Sequence, residues 1–196
     1  MIKNIIFDMG NVLLDFNPSE PLDRFCSSEE EKATIKKELF DGEEWIQRDL
    51  GNITVEEMYN RVAGRIPEKY HGSLKNIINE WDYSMVPLNG AKEFFEFVKK
   101  SGYGVYILSN ASVNFYDYFP RHFDLDSFDG VVVSADIHII NPDRGIYEHL
   151  LKTYNLKAEE CLFIDDREDN VLAARALGIN AHQFKNDYDI IKSMLK

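Results

Sequence analysis

The sequence predicts an α/β fold, a doubly wound parallel sheet that carries an inserted helical segment. Three observations predict it. Five short apolar or β-branched runs recur along the chain, KNIIFD at 3–8, GVYILS at 104–109, GVVVS at 130–134, CLFID at 161–165 and NAHQF at 180–184. Most of the first four are apolar without strict alternation, as strands covered on both faces are. Helical patterns separate the later runs, and strands alternating with helices imply a parallel sheet whose ligand site lies beyond the carboxyl ends of its strands.

The third observation is a break in that rhythm. Residues 17–86 hold no convincing strand but several helix starts. Ser28-x-x-Glu31 and Thr54-x-x-Glu57 both fit the capping box, in which side chains satisfy amides that the first turn leaves unpaired. Proline at 18 and 87 disfavours helical continuation at Asn17 and Val86, and these positions bound the segment. The expected organisation is an α/β core formed by 1–16 plus 87–196, with 17–86 as a helical cap subdomain.

The core helices follow in order. AKEFFEFVKKSG ends in Lys99, Lys100 and Gly102, a glycine suited to a C-terminal cap. RGIYEHLLKTYN spaces Ile146, Leu150, Leu151 and Tyr154 for one helix face, and DNVLAARALG does the same with Val171, Ala174 and Leu177 before Gly178.

Composition narrows the function classes. A chain of 196 residues with 44% hydrophobic content buries a core of ordinary size, and a formal charge of -12 disfavours nucleic acid and anionic membrane as partners. Small molecules fit better. Cys26 and Cys161 lie far apart with no metal-ligand spacing and suit a reducing compartment. Asp8 and Asp15 interrupt the N-terminal apolar run too early for a signal sequence, and no apolar run approaches the ~20 residues of a membrane span, so a cytoplasmic location is expected.

The strands end in polar clusters: Asp8 after the first, Ser109 and Asn110 after the second, Asp165 and Asp166 with Asn170 after the fourth. Each alone has an ordinary use in capping and turns. Three clusters on parallel strands, however, converge at one sheet edge. Asp8, Asp165 and Asp166 brought together would repel one another, and a hard divalent cation with oxygen ligands, Mg²⁺ above all, resolves the conflict. A carboxylate beside Mg²⁺ can attack phosphorus to give an aspartyl-phosphate that water later cleaves. Ser109 and the amides around Asn110 would hold the phosphoryl oxygens.

FDMGNVLLD, ILSNAS, INPD and FIDDREDN, in this order, resemble the four motifs of the haloacid dehalogenase (HAD) superfamily, particularly its sugar-phosphatase-like branch with a helical cap after the first motif. The resemblance spans nearly the whole chain, with the cap matched by pattern more than by identity. It implies a Rossmann-like core and a phosphatase. It also implies Asp8 as nucleophile and Mg²⁺ ligand, Gly10 as a ligand through its backbone carbonyl, Ser109 and Asn110 as phosphate-binding residues, and Asp165 and Asp166 as acidic metal ligands. Asn170 stands where the last motif often has another acid, and supports the metal from behind.

Two positions depart from the pattern. The usual second aspartate, acid and base for the leaving group and water, is Gly10 here. A positioned acid/base contributes ~10² to 10⁴-fold, so a slower enzyme or one favouring good leaving groups such as sugar 1-phosphates is expected. The usual lysine of the third motif is Asn141, a neutral group that can donate to phosphate without offsetting its charge. Arg144, His138 and Arg48 are candidates for the missing charge, and Asp15 for a substitute acid or a hinge anchor. Trp45, Gln47 and Arg48 either face the substrate or serve as cap core and surface. The aromatic run NFYDYFPRHFD reads as packing.

The leading expectation is a Mg²⁺-dependent phosphatase acting on a small phosphorylated metabolite, with a sugar phosphate as one candidate. A weakened relative that binds phosphate ligands or a protein partner is the first alternative. A 2-haloacid dehalogenase is the second, disfavoured by the paired acids and the missing lysine. Phosphomutase activity leans on the acid/base that Gly10 lacks.

Overall fold

A computed structural model describes residues 1–195. Five parallel strands, β1 (Asn4–Phe7), β2 (Gly104–Ser109), β3 (Gly130–Val133), β4 (Cys161–Asp165) and β5 (Asn180–Gln183), lie in the order β3-β2-β1-β4-β5. The expected strands are all present, to within a residue at their ends. Strand order reverses beside β1 and β4, where a crevice opens at the carboxyl edge of such sheets.

Five helices lie between β1 and the core helix that precedes β2: α1 (Ser19–Phe25), α2 (Glu29–Ile35), α3 (Glu43–Asp49), α4 (Val55–Ala63) and α5 (His71–Glu80), with a π-helical turn over Lys36–Phe40. The core helices are α6 (Ala91–Lys100), α7 (Phe115–Tyr118), α8 (Ser134–Ile137), α9 (Arg144–Thr153), α10 (Glu168–Ala176) and α11 (Tyr188–Met194). Among the described residues no helix is long and apolar enough to cross a membrane. Both cysteines are free, Cys161 buried and Cys26 half-buried.

Alternation along each strand divides the core in two. Ile5, Phe7, Val105 and Ile107 face α6 and α11, where Phe94, Val98 and Ile191 meet them. Ile6, Leu108 and Phe163 face α9 and α10, against Ile146, Leu150 and Ala174. Full burial of such side chains contributes about 1.5–3 kcal/mol each, so the central strand is anchored on both faces. In α6 the buried residues are Ala91, Phe94, Phe95 and Val98, the spacing of one helix face, and the chain leaves it through Gly102. On α9 the buried face holds Tyr147 in place of Leu151.

The helices of 19–84 surround an apolar cluster of their own, with Ile35, Leu39, Val62, Leu74 and Ile77 fully buried. Thr54 and Glu57 form the complete reciprocal cap. Ser28 accepts from the Glu31 amide, but the Glu31 carboxylate turns to the amide and hydroxyl of Ser27 instead of closing the box.

Among the contacts that join this segment to the core, two involve its backbone and position the site. At the chain crossings, Asp15 N donates to Val86 O at 2.8 Å and Leu88 N to Leu13 O at 3.1 Å, so the outgoing and returning chains run antiparallel, side by side. At the far end, the turn after α3 docks on α8: Ser134 Oγ donates to Asp49 O at 2.5 Å, and His138 Nδ1 meets Leu50 O at 2.7 Å. Gly51 completes the turn with φ +68°, and a Cβ there would lie 2.5 Å from the Ala135 carbonyl oxygen. Strain and overlap of this kind typically cost about 1–3 kcal/mol. Gly51→Ala should therefore lower the unfolding free energy measured by urea denaturation by about 1–3 kcal/mol, and an unchanged midpoint would contradict this close docking.

Candidate active site

The crevice is built from the ends of β1, β2 and β4. Asp8 N donates to Ile164 O at 2.9 Å, extending the β1 ladder by one residue and placing Asp8 beside the end of β4. One carboxylate oxygen from each of Asp8, Asp165 and Asp166 lies within 4.8 Å of the others. Asp165 is fully buried; its Oδ1 accepts from Arg167 N at 2.8 Å and its Oδ2 from Asn170 Nδ2 at 2.9 Å. Asp166 Oδ2 accepts from Asn11 Nδ2 at 3.1 Å, while Asn11 Oδ1 accepts from Phe16 N at 3.0 Å. Asn11 adopts φ +55°, and the sharp turn it makes lets one amide brace both the acid and the chain leaving for the helices.

The electrostatics follow from this crowding. Burial first, and then the negative charges of Asp165 and Asp166, push the Asp8 carboxyl well above its ordinary range, against the pull of the Ser109 hydroxyl and the Met9 amide. Burial also drives Asp165 up to about 7; the Arg167 amide and Asn170 oppose it, and Asp166 adds to it. Three oxygen donors under mutual repulsion are a donor set that suits a hard divalent cation.

Ser109 is buried beside Asp8, and the Ala111 amide that follows is already satisfied by Ser134 Oγ at 3.0 Å. The Asn110 side chain is engaged as a clamp: its Nδ2 donates to Asn141 O at 3.0 Å and its Oδ1 accepts from Asn141 N at 2.7 Å. With its backbone held in this way, Asn141 turns a buried amide into the cavity wall, and neither its Nδ2 nor its Oδ1 has a hydrogen-bond partner. Buried polar groups are nearly always paired, so this amide leaves hydrogen-bonding capacity unmet in a residue that lines the cavity.

The three candidates for the missing charge do not line the cavity. Arg144 pairs with Glu148 on exposed surface, His138 meets Leu50 O, and Arg48 donates to Ile53 O and Asn114 Oδ1. Each finds an acceptor near its own backbone, and those contacts hold it away. Among the described residues the cavity wall carries one cation, Arg167, whose guanidinium also pairs with Asp169. Asp15 is likewise absent from the wall, its backbone serving the chain crossing.

The cavity measures about 640 Å³. Its floor is acidic and its roof is aromatic. Phe16 packs on Phe40, Trp45 and Trp81, and Trp45 lies 4.8 Å from Phe40 and 5.0 Å from Trp81 between ring centroids. Trp45 thus belongs to the packing of the helical segment and to the cavity wall at once. Gln47 bonds Asn52 and stays outside. Most of the aromatic run after β2 is core, but Tyr118 also reaches the cavity, as does Asp49 at the end of α3.

Residues 2–178 match the haloacid dehalogenase-like hydrolases. The chain belongs to this family. It is 30% identical over 179 residues to a sesquiterpene phosphatase of Aspergillus oryzae, covering 90% of this chain and 87% of that one. It is 23% identical to a D-ribitol-5-phosphate phosphatase of Bacteroides thetaiotaomicron, over 96% and 95% of the two chains. Among solved structures, a HAD family enzyme of Bacteroides thetaiotaomicron in complex with magnesium and inorganic phosphate superposes with a TM-score of 0.76 at 20% identity, over 94% and 95% of the chains.

Asn11, Asp49, Tyr118 and Arg167 are cavity residues that the sequence reading did not single out. Asn11 and Arg167 sit inside quoted motifs, and their adjacency to Asp8 and Asp166 was the available signal. Asp49 and Tyr118 arrive by tertiary packing and carried none.

A pH effect on the metal-free protein follows. Asp165 holds its proton to about pH 7 when folded, but only to about pH 4 in an unfolded chain. The folded state therefore binds more protons between these values, and stability falls as pH rises through that window. Thermal melts with chelator should show this decline, and Asp165→Asn should make it shallower, with the raised Asp8 and Asp49 carboxyls supplying the remainder. An equal slope in the variant would contradict the assigned burial.

Proposed function

We propose that the protein is a Mg²⁺-dependent phosphatase that hydrolyses a small phosphorylated metabolite through an aspartyl-phosphate at Asp8. The convergence of Asp8, Asp165 and Asp166 beneath Ser109 and the unpaired Asn141 amide carries this reading. The Asp8, Asp165 and Asp166 carboxylates and the Gly10 carbonyl would hold Mg²⁺, which supplies charge neutralisation at the transferring phosphoryl group. Asp8 attacks phosphorus, Ser109 and the Asn141 amide donate to its oxygens, and Asn170 holds Asp165 in place. Asn110 contributes by fixing the backbone that presents Asn141. Residues 17–86 act as a cap over the core of 1–16 plus 87–196, and their aromatic roof keeps water from the acidic floor.

The roof also bears on the substrate. Phe16, Phe40, Trp45, Trp81 and Met85 present rings and apolar carbon to whatever the phosphate carries, which favours an apolar body over a sugar. The match to a phosphatase named for sesquiterpenes agrees with this choice.

Two experiments test these assignments. A panel of prenyl, aryl and sugar phosphates with Mg²⁺ should give hydrolysis that EDTA and Asp8→Asn both abolish, with apolar esters preferred. No turnover above the Asp8→Asn control refutes the reading. Asn141→Lys should raise kcat/KM by about tenfold or more, in line with the value of a charged hydrogen bond over a neutral one. No gain favours the weakened, ligand-binding relative, which the neutral side chain at 141 supports. A dehalogenase is disfavoured by the paired acids Asp165 and Asp166 at the end of β4.

A further inference from the structure

Hydrolysis through Asp8 moves a proton twice, onto the departing oxygen and then off the attacking water. Gly10 has no side chain to carry it. The space is open: a Cβ at position 10 would meet only Phe16 Cβ, at 3.9 Å. Asp8, Asp165 and Asp166 are placed to hold the cation, and Asp15 lies outside the cavity.

Two further carboxyls that line the cavity come from the helical segment, Asp41 and Asp49; Asp41 is exposed and paired with Lys36 at 2.7 Å, which leaves Asp49. Asp49 ends α3 and shares the wall with Asp8, Gly10 and Tyr118. Among the described residues none donates a hydrogen bond to its carboxyl, since the adjacent Arg48 guanidinium is turned to Ile53 O and Asn114. Its backbone is held from the core by Ser134, by the His138 contact to Leu50 and by the seat of Gly51 on Ala135. A short side chain on a backbone so held is preorganised, as a proton-transfer group must be. Burial raises its pKa to about 7, with Arg48 opposing. Tyr118, facing it from α7, stays neutral because its own burial drives its pKa far upward.

We propose that Asp49 is the acid and base of this enzyme, supplying from the helical segment the carboxyl that position 10 lacks. In the first step an Asp8 oxygen bonds to phosphorus, the P–O bond to the leaving group breaks, and that oxygen takes the Asp49 proton. In the second, water bonds to phosphorus and gives a proton to the Asp49 carboxylate while the P–O bond to Asp8 breaks. Inorganic phosphate leaves and both side chains return to their starting states.

The proposal rests on the phosphatase reading, and leaving-group dependence separates the two. With Mg²⁺, phenethyl phosphate needs protonation of its alkoxide, whereas p-nitrophenyl phosphate releases a stable anion. Asp49→Asn should lower kcat/KM for phenethyl phosphate by ~10² to 10⁴-fold and for p-nitrophenyl phosphate by less than about tenfold, the leaving anion then needing no acid. It should also turn the nitrophenyl reaction into a burst followed by slow turnover, because the water-activating step loses its base. The double variant Gly10→Asp/Asp49→Asn should regain activity on phenethyl phosphate, which a purely structural role for Asp49 would not allow. Equal loss on both esters, without recovery in the double variant, overturns the proposal for Asp49 alone. Native protein that turns over neither ester overturns the phosphatase reading with it.

Discussion

Three carboxylates forced together in a buried crevice are the constraint around which the structure is arranged. Asp8 and Asp165 lie at the ends of adjacent strands, so the ladder that stabilises the sheet is also what brings their charges together. The protein meets the strain locally with neutral donors: the Arg167 amide and Asn170 on Asp165, Asn11 on Asp166, Ser109 and the Met9 amide beside Asp8. These soften the repulsion while leaving it in place, and the remaining unfavourable charge makes the crevice a donor set that suits a cation.

The surroundings of the crevice serve two different demands. Its floor is polar and fixed by the sheet, and its roof is aromatic and fixed by the helices. Phe16 links them, since its amide is held by Asn11 Oδ1 and its ring packs on Trp45 and Trp81. A residue of the acid-bearing turn thereby sets where the roof begins. Asn110 plays a corresponding part on the other side, tying the end of β2 to the loop that follows α8.

How far the site was legible in the sequence depended on distance along the chain from a strand end. Asp8, Ser109, Asp165 and Asp166 were readable because a parallel sheet carries consecutive strand ends to one edge, whatever the intervening residues. The helix spacing of Ala91, Phe94 and Val98 and the reciprocal cap of Thr54 and Glu57 were readable because they are local. What escaped was set by the docking of separate units. Arg144, His138 and Arg48 were equally credible as cations until each was found bound to a nearby acceptor. Asp49 looked like any acid at a helix end, and its place in the wall depends on Ser134 and Ala135, some 85 residues away. The clamp of Asn110 on Asn141 is a similar case: the two residue types were visible, but not that one would hold the other's backbone.

The paired crossings at Leu13–Asp15 and Val86–Leu88 have an evolutionary consequence. Because the chain departs and returns through adjacent, hydrogen-bonded positions, the geometry of the sheet does not register how many residues lie between them. A longer, shorter or differently folded insert can occupy the same socket without shifting β1 against β2. The insert can therefore change in length and packing at this crossing while β1 and β2 keep their register.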